Sequence, residues 1–350
     1  MIVECVIGND KPQLKGIAHV TINTDNMLWH KECLINEAVK LVPNNYQYIF
    51  WIDADVIFTN KNWLVESVNL MKNGVKILQP FEYCIHLDKD ESKPSFDVDY
   101  NRRFAETPRR HKKMWKSFAY NNAEKTLYAN STNYDYHGHV GFAWGAHRYI
   151  LEKVPLYDKA LIGGADHIIA HAAMGQIPHK CISATFSDNI NEVVEWSNDF
   201  YKLTQKKIGY VPGDLYHIWH GDLEHRDYFH RIKNFSERAK NIHKKDKHGL
   251  YVCDDDTSDY VTNYLKKRDG YDKTLDPVDI LINPLNPINI LMNDVPDDIP
   301  HQNHGHEFGG GNTGGGGASG SWEDGKTNVD TLQDTTTHHS HGGYEGSTFS

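Results

Sequence analysis

The sequence predicts an α/β fold, a sheet flanked by helices, and three observations carry that expectation. Short apolar runs alternate with helical periodicity through roughly the first eighty residues. Where a strand is expected to be central, its run is continuous rather than alternating. Polar, Gly or Pro residues punctuate each segment.

Taken in order, Ile2-Val3-Glu4-Cys5-Val6-Ile7 reads as a strand, closed by Gly8-Asn9-Asp10. A second strand fits 17–22, with Asn23-Thr24-Asp25-Asn26 after it. Over 29–42, Trp29, Cys33, Leu34, Ala38 and Leu41 recur at helical spacing and Pro43 stops the pattern. Tyr48-Ile49-Phe50-Trp51-Ile52 is aromatic and β-branched throughout; Asp53-Ala54-Asp55 breaks the run and Val56-Ile57-Phe58 resumes it. Such a run suits a strand covered on both faces. A helix at 62–72 and a strand at 75–79 complete the unit.

Between 88 and 128 the chain turns polar and basic, with Arg102-Arg103 and Arg109-Arg110-His111-Lys112-Lys113, which predicts a partly helical insertion over a cleft. A buried strand is expected at 140–145, helices at 148–154 and 166–174, an apolar segment at 215–219 and a helix-prone stretch at 225–243. The segment 254–300 is acidic and Pro-rich, and the Gly-rich run 309–320 has no side chains from which to build a core.

The chain has 350 residues, 39% of them hydrophobic, with a formal charge of −10. That balance argues against a dedicated nucleic-acid wrapper, which carries a basic footprint. The last fifty residues distort the average, since without their six acids and one base the charge is −5. Cys5, Cys33, Cys84, Cys181 and Cys253 are dispersed without a CxxC spacing, so neither a disulfide framework nor a zinc ribbon is expected. No leader-like segment opens the chain and no apolar run approaches the roughly 20 residues of a membrane span, so a cytoplasmic protein of a bacterium or a virus-infected cell is expected.

Three segments carry chemistry. Asp53 and Asp55 stand two apart where a strand leaves the sheet, the usual place for ligands in open α/β folds. Two anions brought together there call for a cation, and hard oxygen ligands suit Mg²⁺ or Mn²⁺, which in turn favour a diphosphate. The plainer alternative is a pair of strand-end turn residues. The second segment runs from Gly138-His139-Val140-Gly141 to Gly163-Gly164-Ala165-Asp166. Gly-Gly lets backbone approach a substrate, and Asp166 at a helix N-terminus is either a general base or only a cap. In the third, His217 and His220 stand three apart, so one of them is a candidate to complete a divalent-metal site while the other packs.

In this order, the three segments resemble the nucleotide-sugar glycosyltransferases of the GT-A fold over about residues 2–235. The likeness is most specific in Trp29-His30-Lys31-Glu32-Cys33-Leu34-Ile35-Asn36 and 48–55, which are similar to an uncharacterised bacterial and viral branch. The resemblance implies a single Rossmann-related mixed sheet and transfer of a sugar from a nucleoside-diphosphate donor to an acceptor hydroxyl. The acceptor is left open among a glycan, a small molecule and a nucleic-acid base. It further implies Mn²⁺ or Mg²⁺ on Asp53, Asp55 and His220, with His217 second to His220, and Asp166 as base. Arg226 would face the diphosphate, and Asn9, Asp25 and Lys31 would line the nucleotide pocket. Many inverting members carry an adjacent Glu-Asp pair where this chain has Ala165-Asp166, which leaves the stereochemical outcome open.

The domain layout follows. Residues 1–245 form the catalytic domain, with a donor half at 1–80, the insertion at 88–128 and an acceptor half at 135–235; 246–300 is a polar extension and 301–350 a disordered Gly/His tail. The tail's His301, His304 and His306 have a metal-binding spacing, although a plain polar tail is the simpler expectation. Two other functions compete. A haloacid-dehalogenase-type phosphatase also uses a strand-end DxD, but Asp55-Val56-Ile57 lacks the usual Thr and the later acidic pair is missing. The other is a non-catalytic sugar- or partner-binding module.

Overall fold

The computed structural model describes residues 1–14, 19–104, 113–126, 129, 131, 134–186, 190–219 and 231–268. Contacts divide the chain into Met1–Pro296 and Asp297–Ser350, and every described residue belongs to the first unit. The sequence-predicted tail at 301–350 and most of the extension lie outside the described residues.

The architecture is α/β, with mixed sheets flanked by helices. Strands β1 (Ile2–Ile7) and β2 (His19–Thr24) pair in parallel, Ile2 with His19 through Ile7 with Thr24. Helix α1 (Lys31–Leu41) follows, then β3 (Tyr48–Ile52), β4 (Val56–Phe58), α2 (Trp63–Lys72), β5 (Ile77–Gln79) and β6 (Tyr83–His86). The short α3 (Val98–Arg102) precedes β7 (Met114–Lys116), α4 (Phe118–Ala123) and α5 (Tyr134–His137). The second half holds β8 (Ala143–His147), α6 (Arg148–Lys153), α7 (Ala165–Ala173), α8 (Lys180–Thr185) and α9 (Ile190–Thr204). Last come β9 (Ile208–Tyr210), β10 (Asp214–His217), α10 (Arg231–Ala239) and α11 (Asp255–Arg268).

One expectation is corrected. The strands do not form a single sheet: besides the β1–β2 pair there are two four-stranded mixed sheets, ordered β3-β8-β5-β9 and β4-β10-β6-β7. The physical reason lies in three interruptions. Strand β3 passes to β4 through Asp53-Ala54-Asp55, β5 to β6 through Pro80-Phe81-Glu82, and β9 to β10 through Val211-Pro212-Gly213. Pro80 and Pro212 have no N–H to continue a ladder. Gly213, at φ 127°, sits in a region that strand residues with side chains rarely occupy. Single bonds bridge the gaps: Glu82 N–H donates to Gly213 O at 2.8 Å and Val211 N–H to Gln79 O at 3.3 Å.

The main core lies where β3, β5 and β8 meet α7 and α9, through Trp51, Ile77, Trp144, Ile168, Ile169 and Phe200. Trp144 is fully buried and its indole N–H donates to Val140 O at 2.8 Å, so a large ring is buried without an orphaned donor. A second cluster joins Ile22, Leu28 and Cys33 to Phe235, Leu250, Tyr251 and Val261. Compact structure therefore continues past residue 245. Part of the 88–128 segment is core: β7 pairs with β6, and Phe118 and Ala119 of α4 are fully buried. The basic run's residues up to 112 lie outside the described residues, while Lys113 pairs with Asp88. No helix among the described residues is long and apolar enough to cross a membrane.

Candidate functional site

The interruption after β3 places the acidic pair. Asp53 N–H donates to Phe142 O at 2.8 Å, and Ile218 N–H, just past β10, donates to Asp55 O at 2.8 Å. Each end of Asp53-Ala54-Asp55 is thus held by a different strand end. Phe142 has φ 80°, which costs a bulky residue of order 1–3 kcal/mol. Ring packing keeps it there: it stacks on His139 at 4.2 Å and lies 4.7 Å from His217 and 5.6 Å from His86, centroid to centroid. Gln79, fully buried, donates to His139 O at 3.1 Å and Gly141 O at 3.2 Å and accepts from Ala119 N–H, so it fixes the same loop from below.

Helix α1 brings in a cation. Trp29 N–H donates to Leu161 O at 2.9 Å, which docks the start of α1 on the loop leading into α7. That loop turns through Gly163 at φ 89° and Gly164 at φ 103°, the residue preceding α7, and presents Asp166 in the first turn. Lys31 Nζ then lies 2.7 Å from Asp53 Oδ1 and 3.1 Å from Asp166 Oδ2. Gly141 borders the same carboxylate, since a Cβ there would sit 3.8 Å from Asp166 Oδ2. On the other side His217 Nε2 is 3.3 Å from Asp55 Oδ2, and the His217 ring is buried against His86 at 4.6 Å.

The electrostatics follow from crowding. Burial pushes the Asp53 carboxyl up to about 6, Lys31 pulls it back, and the like charges of Asp166 and Asp55 add to the rise. Burial works to lower Lys31, but Asp166 and Asp53 outweigh it and hold the ammonium well above its usual range. Glu32, 2% exposed, is pushed up to about 8 by burial, against Lys31 and with Asp166. One ammonium therefore serves Asp53 and Asp166, with Asp55 adding its charge beside Asp53 and Glu32 keeping its proton at neutral pH. Such a surplus of carboxylates is the setting in which a further cation is stabilised.

Of the sequence-predicted site residues, Lys31, Asp53 and Asp166 come together, and Asp55 meets His217. Lys31 is a counter-ion to the acids. Asn9 and Asp25 are exposed side by side at the C-terminal edge of β1 and β2, where Gly8 N–H donates to Thr24 O at 2.8 Å. His220 and Arg226 lie outside the described residues. The Asp53-Ala54-Asp55 segment is a turn rather than extended backbone, so its two carboxylates have different partners instead of a shared face.

Sequence reasoning missed two groupings of histidine and cysteine. Cys84, His86 and His139 gather behind His217, and His137, His167, His171 and Cys181 gather between α5, α7 and α8. In the second, burial is the main force that lowers His167 to about 3 and His171 well below the usual imidazole range, so both rings are neutral. The one available signal was the four-residue step from His167 to His171. Nothing in the sequence said that His137 and Cys181 would join them.

Comparison with protein-family models, with curated proteins and with solved structures finds no match to this chain.

Proposed function

We propose that this chain is a metal-dependent glycosyltransferase that moves a sugar from a nucleoside-diphosphate donor to an acceptor hydroxyl. The observation that carries the proposal is the meeting of Asp53, Asp166 and Lys31 beside Asp55 and His217, at the level where three strands leave one sheet for the next. Strand ends of an α/β fold are where ligands bind. Asp53, Asp55 and His217 do not form a preformed cluster among the described residues; drawn together, they would offer two carboxylates and one imidazole, a set that suits Mn²⁺ or Mg²⁺. His220, the first choice of the resemblance, lies outside the described residues, and in this reading His217, its second, would supply the imidazole. A divalent ion held there would neutralise charge developing on the leaving diphosphate.

The remaining work falls to the protein's own groups. Lys31 bridges Asp53 and Asp166 and, with donor bound, would offer its ammonium to the phosphate oxygens. Asp166, between Lys31 and the Gly141 backbone, is placed to accept the proton of an incoming hydroxyl.

The test is donor turnover. Purified protein is mixed with a panel of nucleotide sugars and Mn²⁺ or Mg²⁺, and release of the diphosphate is followed. One donor is expected to be turned over only with metal present, and Asp53→Ala and Asp55→Ala are each expected to lower the rate by about a hundredfold or more. Wild-type rates in both variants, or no donor bound or turned over, overturn the proposal. Release of inorganic phosphate from simple phosphomonoesters, lost in Asp53→Ala, would instead point to the phosphatase alternative.

A further inference from the structure

Helix α7 carries two kinds of chemistry on different sides. Asp166 faces Lys31, while His167 and His171, one helical turn apart, face α5 and α8. There they meet His137, the last residue of α5, and Cys181, the second residue of α8. One ligand atom from each of the four lies within 4.8 Å of the other three. Cys181 Sγ is 3.2 Å from His167 Nε2 and 3.4 Å from His171 Nε2. Tetrahedral Zn²⁺, with bonds of ~2.0–2.1 Å to nitrogen and ~2.3 Å to sulfur, sets its ligands roughly 3.3–3.6 Å apart. The two spacings to Cys181 fall close to that range, and the remaining ligand atoms stand within 4.8 Å of one another.

The surroundings are built as a metal site's are. His137 Nδ1 is 2.8 Å from Gly138 O and His171 Nδ1 is 3.0 Å from Gln176 Oε1. Each bond puts the proton on Nδ1, which makes Nε2 the nitrogen available to a metal, and outer partners of this kind fix ring orientation in zinc sites. His137 and His171 are fully buried. His179 stacks on His171 at 4.5 Å and sets its Nδ1 3.0 Å from Cys181 Sγ, where an N–H would stabilise a thiolate.

We propose that His137, His167, His171 and Cys181 bind one tetrahedral zinc ion that ties α5, α7 and α8 together. Three imidazoles and a thiolate select zinc over the hard Mg²⁺ and Mn²⁺ suited to the Asp53–Asp55 carboxylates, so the two sites differ in the ion they take. Four protein ligands leave no open position, and such closed sites are structural. Binding forms three Zn–N bonds and one Zn–S bond and releases the thiol proton to solvent. The ion would pin α7 one residue from Asp166, fixing the carboxylate from behind.

The test uses the full chain. Metal analysis of the purified protein is expected to give one zinc per chain. Replacement by Co²⁺ is expected to give the sulfur-to-cobalt charge-transfer band and intense d–d bands of a tetrahedral thiolate site. Histidines alone, including those at 301–306, cannot produce the charge-transfer band. Cys181→Ser should abolish it and Cys84→Ser should leave it. Absence of both zinc and the band at one equivalent of Co²⁺, or a band that follows Cys84 instead, overturns the proposal. Should Cys181→Ser fail to fold, Gln176→Ala keeps all four ligands. Chelator competition is then expected to show affinity weakened about 10–100-fold, and unchanged affinity counts against the site.

Discussion

Lys31 stands between Asp53 and Asp166 with Glu32 buried at its back, so the first turn of α1 is the most electrostatically loaded part of the described chain. Glu32 gives this a measurable sign. Its carboxyl titrates at about 8 in the folded protein against 4.5 as its ordinary value. Between those values the unfolded chain gives up the proton while the folded chain keeps it, so stability falls as pH rises through that window, by at most ~1.4 kcal/mol per pH unit. Glu32→Gln removes the titration and keeps the shape. Melting temperatures of variant and wild type should nearly coincide at pH 4, diverge in the variant's favour up to about pH 8, and then run parallel. Equal melting curves from pH 4 to 9 would show that Glu32 ionises freely. None of this was legible beforehand, because the helical spacing of Trp29, Cys33, Leu34, Ala38 and Leu41 assigns Glu32 no place. Asp53 and Asp55 were legible as a strand-end pair, but not the division of their partners between Lys31 and His217.

At the scale of elements, recognition followed how strongly apolar side chains dominate a segment. The run at 48–52 is β3 at the expected limits, and Arg148–Lys153 and Ala165–Ala173 fall within a residue of their predicted bounds. Helix α9 went unseen despite its fifteen residues. Its buried face is Val193, Ser197, Phe200 and Thr204, and half of that face is hydroxyl. Ser197 Oγ donates to Val193 O at 2.6 Å and Thr204 Oγ1 to Ala173 O at 3.1 Å. These bonds let polar residues lie in a core, but in sequence they interrupt the apolar stripe. Strand β8 offers the test of packing. A Cβ on Gly145 would sit 2.4 Å from Phe50 Cε1 and 3.0 Å from Met71 Cε, so Gly145→Ala must displace a ring between two paired strands. It is expected to cost ~1–3 kcal/mol in urea unfolding. A loss below about 0.5 kcal/mol would mean that Phe50 has another place to go.

Across the whole molecule, packing extends beyond residue 245. Leu250, Tyr251 and Val261 are buried with Ile22, Leu28 and Cys33, under the β1–β2 sheet that carries Asn9 and Asp25 at its edge. Burial of each large apolar side chain contributes ~1.5–3 kcal/mol. A truncation ending at residue 245 is therefore expected to melt well below one ending at 268, and equal melting temperatures would show α11 to be dispensable. The sequence hid this because 246–268 is dominated by charge, and its few apolar residues declare a partner only once α10 and β2 are folded beside them.

The gap between the two four-stranded sheets has a consequence for how such a molecule changes over time. A ladder residue answers to two masters, its backbone partner and the face its side chain must occupy. A residue in the gap is held to the next strand by one backbone bond rather than a ladder, as Asp53 is to Phe142. Substitution there alters which groups meet a ligand without moving the register of any strand. The fold thus keeps its architecture and its reactivity on separate accounts, and a new reaction would need new side chains at 53, 55 or 82 but no new sheet.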